Sequence, residues 1–137
     1  DIPKGQIHTG TETILVVEDK PDVRTLVCRI LRENGYTVYE ARHGIEALLL
    51  DRAHTQTVHL LLTDVIMPQM SGPEVANQLK AVHPDLRVIY MSGYTDDAVV
   101  RHGVSEKGTH FLEKPFAPEA LLQTVRGALD CSVTGSS

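Results

Sequence analysis

The chain has 137 residues, 13 Lys+Arg against 18 Asp+Glu for a formal net charge of −5, with 42% of residues apolar and 23% charged. That length suits one domain able to bury its own core, and the composition excludes a disordered or fibrous chain. The acidity is spread evenly, with 7 basic and 10 acidic residues in 1–70 and 6 and 8 in 71–137, and argues against nucleic acid as a partner of this domain.

Residues 1–12 (DIPKGQIHTGTE) are polar and aperiodic and read as a linker or N-terminal arm. Thr13–Val17 is a short β-branched run, expected to be a buried strand. Pro21 opens a helical pattern with Val23, Leu26, Val27, Ile30 and Leu31 on one face, closed by Asn34-Gly35. Thr37–Ala41 is a second strand and Ile45–Ala53 a second helix, with His43 in the preceding position as a poor cap. Val58–Thr63 is a third strand ending at Asp64. A helix starts at Ser71-Gly72-Pro73-Glu74, carries Val75, Leu79 and Val82, and stops at Pro84. Val88–Met91 is a fourth strand, followed by a weak helical stretch around Asp96–His102. Thr109–Leu112 is a fifth strand, and Pro118-Glu119 opens a last helix with Leu121, Leu122, Val125 and Leu129.

Five strands alternating with five helices, the strands short and apolar, predict an α/β domain over residues 13–130 with a parallel sheet covered on both faces. Residues 131–137 form a C-terminal tail. Cys28 and Cys131 have no CxxC spacing and are too few for a disulfide framework, so a cytoplasmic, reducing compartment is expected. No apolar run approaches the roughly 20 residues of a membrane span, and no membrane contact by this domain is expected. The chain starts at Asp1 instead of Met, which reads as a piece of something longer.

In an open parallel sheet, ligands gather beyond the carboxyl ends of the strands. Glu18 and Asp19 follow the first strand, Asp64 the third, Ser92 the fourth, and Glu113, Lys114 and Pro115 the fifth. Each has a plain alternative: an acidic pair or a single Asp caps helices and turns, Ser92-Gly93 is an ordinary turn, and Lys-Pro is a common loop dipeptide. Glu18, Asp19 and Asp64 with Ser92 and Lys114 place three carboxylates, a hydroxyl and an ammonium on one sheet edge. Crowded carboxylates raise one another's pKa unless a cation offsets them. Hard oxygen donors without His or Cys select Mg²⁺ (or Mn²⁺). A carboxylate nucleophile flanked by a divalent ion and a lysine has what aspartyl-phosphate formation requires.

The segments ILVVED (14–19), LLLTDVIMPQMSG (60–72), IYMSGYTD (89–96) and FLEKPF (111–116) resemble the receiver (response regulator) domain of two-component signalling, over about residues 13–129. The resemblance implies a flavodoxin-like (βα)5 fold working as a phosphorylation switch. It implies Asp64 as phosphoacceptor, with Asp19, Asp64 and the backbone carbonyl of Ile66 as metal ligands and Glu18 a ligand through water. Lys114 would pair with the phosphoryl group, and its bond to Pro115 would be cis. Ser92 and Phe111 would be the switch residues, reshaping the surface of the fourth helix, fifth strand and fifth helix. Phe111 lacks the hydroxyl of the commoner tyrosine and also fits a plain core aromatic. Ile66 and Tyr94 resemble positions that tune dephosphorylation, where an apolar Ile66 would prolong the phosphorylated state. Lys20 departs from the pattern by placing a positive charge beside the acidic pair, or by pointing to solvent. The remaining histidines (His8, His54, His59, His83, His102, His110) lack ligand spacing and read as surface residues.

No ATP-cradling GxxxxGK[ST] loop is present, so the phosphoryl group would come from a phosphohistidine on a histidine kinase or histidine phosphotransfer domain, or from a small acyl phosphate. The TGTETILVVED lead-in resembles the linker before the C-terminal receiver of a hybrid sensor histidine kinase, whose parent could be membrane-anchored; a stand-alone response regulator is the alternative. Two other classes stay open: a hydrolase with an aspartyl-phosphate intermediate, and a degenerate receiver used for docking. Ala98, Val99, Arg101 and Leu122 form a candidate contact face for a homodimer, or pack into the core.

Overall fold

In the computed structural model, residues 10–53, 57–67, 69–92 and 109–130 are described. Over them run β1 (Thr13–Val17), α1 (Pro21–Glu33), β2 (Thr37–Ala41), α2 (Gly44–Ala53), β3 (Leu60–Asp64), α3 (Gly72–Val82), β4 (Arg87–Ser92), β5 (Thr109–Glu113) and α4 (Pro118–Asp130). The helix expected around Asp96–His102, the tuning position Tyr94, the contact residues Ala98, Val99 and Arg101, and His8, His54, His102 and Cys131 lie outside the described residues. So do residues 1–9 of the arm and the tail 131–137. The final helix is therefore α4 in this numbering.

All strand pairs are parallel, in the order β2-β1-β3-β4-β5. β1 and β3 are central, and their TILVV and LLLTD runs are buried at every residue, which explains the absence of polar alternation. β2 lies at the edge, and its TVYEA exposes Thr37 and Glu40 between buried Val38 and Ala41. The side chains divide between two faces. Ile14, Val16, Leu60, Leu62, Ile89 and Met91 pack with Val27, Cys28 and Leu31 of α1 and Leu121 and Val125 of α4. Leu15, Val17, Leu61, Val88 and Tyr90 pack with Ala47 of α2 and Val75, Ala76 and Leu79 of α3. The two-faced parallel sheet is thus as the pattern predicts.

Several local details differ from expectation. Val58 is buried but precedes the ladder, because apolarity reports burial and not strand pairing. β4 reaches Ser92, one residue further than expected, so that hydroxyl is carried on a strand. His43 is not a lost cap: its Nδ1 accepts from the Glu46 N–H at 3.2 Å, while Glu46 reaches back to the Arg42 N–H at 2.6 Å. Nor do His59 and His83 lie freely on the surface. His59 Nδ1 accepts from the Thr13 N–H at 3.0 Å, and His83 Nε2 lies 2.7 Å from Asp51 Oδ1, joining the ends of α3 and α2.

Candidate functional site

Strand register brings the candidate residues together. β1 pairs with β3 up to Val17↔Thr63, so Glu18 emerges beside Asp64. Asp64 pairs with Met91, and Ser92 with Glu113, which sets Ser92 and Lys114 at the same edge. The Lys114 N–H donates to the Ser92 carbonyl at 2.9 Å, and the Lys114–Pro115 bond is cis. After β1 the chain turns into α1 on one face, and after β3 into α3 on the other. The acidic residues therefore line a crevice where connections diverge.

Two local devices hold the walls of this crevice. At the start of α3, Ser71 Oγ accepts from the Glu74 N–H at 3.3 Å and Glu74 Oε1 accepts from the Ser71 N–H at 2.8 Å, a reciprocal cap. Gly72 then sits against the end of β3, donating to the Val65 carbonyl at 2.8 Å. A side chain at that position would overlap the Asp64 carbonyl oxygen, so only glycine permits the approach.

Lys114 Nζ donates to Asp64 Oδ1 at 2.6 Å and to Glu18 Oε1 at 2.9 Å. Carboxylate oxygens of Glu18, Asp19 and Asp64 all lie within 4.8 Å of one another. Glu18 is 0% exposed and Asp64 6%, whereas Asp19 faces solvent. With all groups ionised, three carboxylates against one ammonium leave two negative charges uncompensated. Burial, reinforced by the facing Glu18 carboxyl, pushes Asp64 up to about 7 despite the Lys114 contact. Burial also pushes Glu18 upward, but hydrogen bonds with Asp64 and from Lys114 outweigh it and hold the carboxyl below its usual range. Burial opposes the charge on Lys114 too, and its two carboxylate partners reverse that, holding the ammonium above its usual value. The cluster is thus short of positive charge, and its donors are all hard oxygens. That set suits a divalent cation of the Mg²⁺ type.

The other candidates fall around this centre. Ser92 is buried at the edge. Ile66, two residues beyond Asp64, has a side chain 58% exposed. Phe111 is half-buried, with its ring centroid 5.8 Å from that of Tyr90 in a tilted pair against the α2–α3 layer. Lys20 faces solvent, and only its N–H joins the site, donating to Glu18 Oε2 at 3.1 Å. Sequence reasoning missed Arg24, whose Nη1 donates to the Glu18 carbonyl at 2.9 Å, and the close approach at Gly72. No spacing in the sequence announces the first; a Gly before a helix-opening Pro hints at the second.

Residues 14–126 match the response regulator receiver domain. The chain is 39% identical over 129 residues to the sensor kinase CckA of Brucella abortus, covering 94% of this chain but only 14% of that kinase. It is 30% identical over 116 residues to the response regulator receiver protein CpdR of the same organism, covering 85% of this chain and 95% of CpdR. The crystal structure of the receiver domain from the hybrid histidine kinase CckA superposes with a TM-score of 0.72 at 33% identity, covering 85% of this chain and 98% of that one. By sequence and by fold, this chain belongs to the response regulator receiver domain family of two-component systems.

Proposed function

We propose that Asp64 is the phosphoacceptor of this receiver, taking a phosphoryl group from a phosphohistidine on a histidine kinase or phosphotransfer domain. One observation carries the reading. Lys114 bridges Asp64 and Glu18 at 2.6 and 2.9 Å within an acidic trio on the carboxyl edge of the sheet. An Asp64 carboxylate oxygen attacks phosphorus, the P–N bond to the imidazole breaks, and the electron pair leaves on the ring nitrogen. Asp64 must be ionised to attack, which burial and Glu18 oppose and Lys114 favours. Asp19, Asp64 and the Ile66 carbonyl would hold Mg²⁺ (or Mn²⁺) directly, with Glu18 acting through water. The ion supplies charge neutralisation for the phosphoryl oxygens. Lys114 exchanges its Asp64 contact for a phosphoryl oxygen, and the Ser92 hydroxyl donates to another. Phe111, on β5 and packed on Tyr90, then carries the change into the surface around β5.

The likeness to the CckA receiver supports an origin in a hybrid kinase, and the likeness to CpdR supports a stand-alone regulator as the second reading. No helix among the described residues is long and apolar enough to cross a membrane, in keeping with a domain working in the cytoplasm. The test is incubation with Mg²⁺ and acetyl phosphate followed by intact mass. One phosphoryl addition on the wild type and none on Asp64→Asn is expected; equal labelling of both would remove Asp64 from the role.

A further inference from the structure

Arg24 takes no part in the transfer scheme, yet it closes the loop that carries two of the three acidic residues. Its Nη1 donates to the Glu18 carbonyl oxygen at 2.9 Å, and its backbone N–H donates to the Lys20 carbonyl at 2.9 Å. Its Nε lies 3.5 Å from Glu40 Oε1 on β2, and the side chain is only 14% exposed. The Glu18 side chain has other anchors, Lys114 on one oxygen and the Lys20 N–H on the other. Asp19 is different. It faces solvent, and no hydrogen bond to its carboxylate is found among the described residues. Its placement depends on the main chain that bears it. The Glu18 carbonyl and the Asp19 N–H belong to one planar peptide unit, so holding that oxygen sets the plane from which Asp19 departs.

We infer that Arg24 is a positioning residue: its guanidinium, oriented by Glu40, fixes the Glu18–Asp19 peptide so that Asp19 is presented beside Asp64 to a divalent cation. The inference rests on the magnesium-dependent reading of the site given above. A hydrogen bond from a charged donor contributes roughly a factor of ten or more to an equilibrium of this kind. Without it, a cation must order the loop before Asp19 can contribute.

The test titrates Mg²⁺ calorimetrically into the wild type, Arg24→Met, Arg24→Lys and Glu40→Gln, and follows acetyl phosphate labelling across Mg²⁺ concentrations. The expected result is a Kd for Mg²⁺ about tenfold weaker in Arg24→Met, with the labelling rate returning to the wild-type level at saturating Mg²⁺. Arg24→Lys recovers part of the affinity, because an ammonium lacks the planar fork that meets both Glu40 and the carbonyl. Glu40→Gln shifts Kd the same way by less, and it carries the test if Arg24→Met does not fold. A residue serving only the fold would lower Tm and leave the Mg²⁺ affinity unmoved, and that outcome overturns the inference. Labelling that stays slow at saturating Mg²⁺ overturns it too. A wild type that takes up no Mg²⁺ sinks the parent reading along with it, whereas unchanged affinity in the variants of a metal-binding wild type sinks the inference alone.

Discussion

In the absence of metal, the Asp64 carboxylate is a burden on the folded state, and replacing it by Asn stabilises the protein at alkaline pH. Burial and the facing Glu18 raise Asp64 from 3.8 to about 7. A group whose pKa is higher when folded binds more protons in the native state between the two values. Its contribution is present below about pH 4 and is lost as the pH rises through about 7. A shift of about three units corresponds to ~4 kcal/mol at 1.36 kcal/mol per unit. Glu18 shifts the opposite way, so that figure is a ceiling, and about half of it is the expected net difference. At roughly 4 °C per kcal/mol for a chain of this size, Asp64→Asn should melt about 8 °C above the wild type at pH 8 in EDTA. The advantage shrinks toward zero as the pH falls to about 4. Excess Mg²⁺ removes it by stabilising the wild type through mass action. Melting curves followed by circular dichroism across this pH range, with and without Mg²⁺, test the whole chain of reasoning. A difference independent of pH, or an Asn variant less stable at pH 8 in EDTA, refutes it.

Two substitutions probe the walls of the crevice. Gly72→Ala forces a methyl group onto the Asp64 carbonyl oxygen, with the Asp64 carbonyl carbon and Val65 Cα at 3.2 Å. A loss of about 1–3 kcal/mol is expected from such overpacking, read as a fall of roughly 4–12 °C in Tm and slower phosphoryl uptake; an unchanged Tm contradicts the contact. Ile66→Asn puts an amide where an apolar side chain now stands 58% exposed beside Asp64. An amide can orient an attacking water, so dephosphorylation should speed up several-fold in a phosphate-release assay, and an unchanged or slower rate counts against the tuning role.

The layered α/β plan was legible because β1 and β3 carry unbroken apolar runs, which only a sheet covered on both faces accommodates. The site was legible for a related reason: in a parallel sheet, the residue after each strand is delivered to one edge whatever the loops do. What escaped notice depends on direction and not on residue type. Glu18 and Asp19 look alike in sequence, yet one is sealed beneath Lys114 and the other faces water, although both turn a carboxylate oxygen to the same cluster just past the end of β1. His43 looked like a lost cap since capping preferences favour short oxygen-bearing side chains, but an imidazole nitrogen accepts the same N–H. The His83–Asp51 pair joins residues 32 positions apart, one on α2 and the other just past the end of α3, beyond the reach of any local pattern. Arg24 grips a carbonyl six residues back, a spacing that a helix face does not supply and only the loop's return creates.

The division of the core into two faces has an evolutionary side. Val16 and Val17 are neighbours in the chain, but one packs against α1 and α4 and the other against α2 and α3. A void cut at one is lined by a different set of side chains from a void cut at the other, so each cost is set by its own layer. Substitutions can therefore accumulate in one layer without waiting for repairs in the other. Both layers grip the ends of β1 and β3 from opposite sides, and the acidic edge keeps its place while either one drifts.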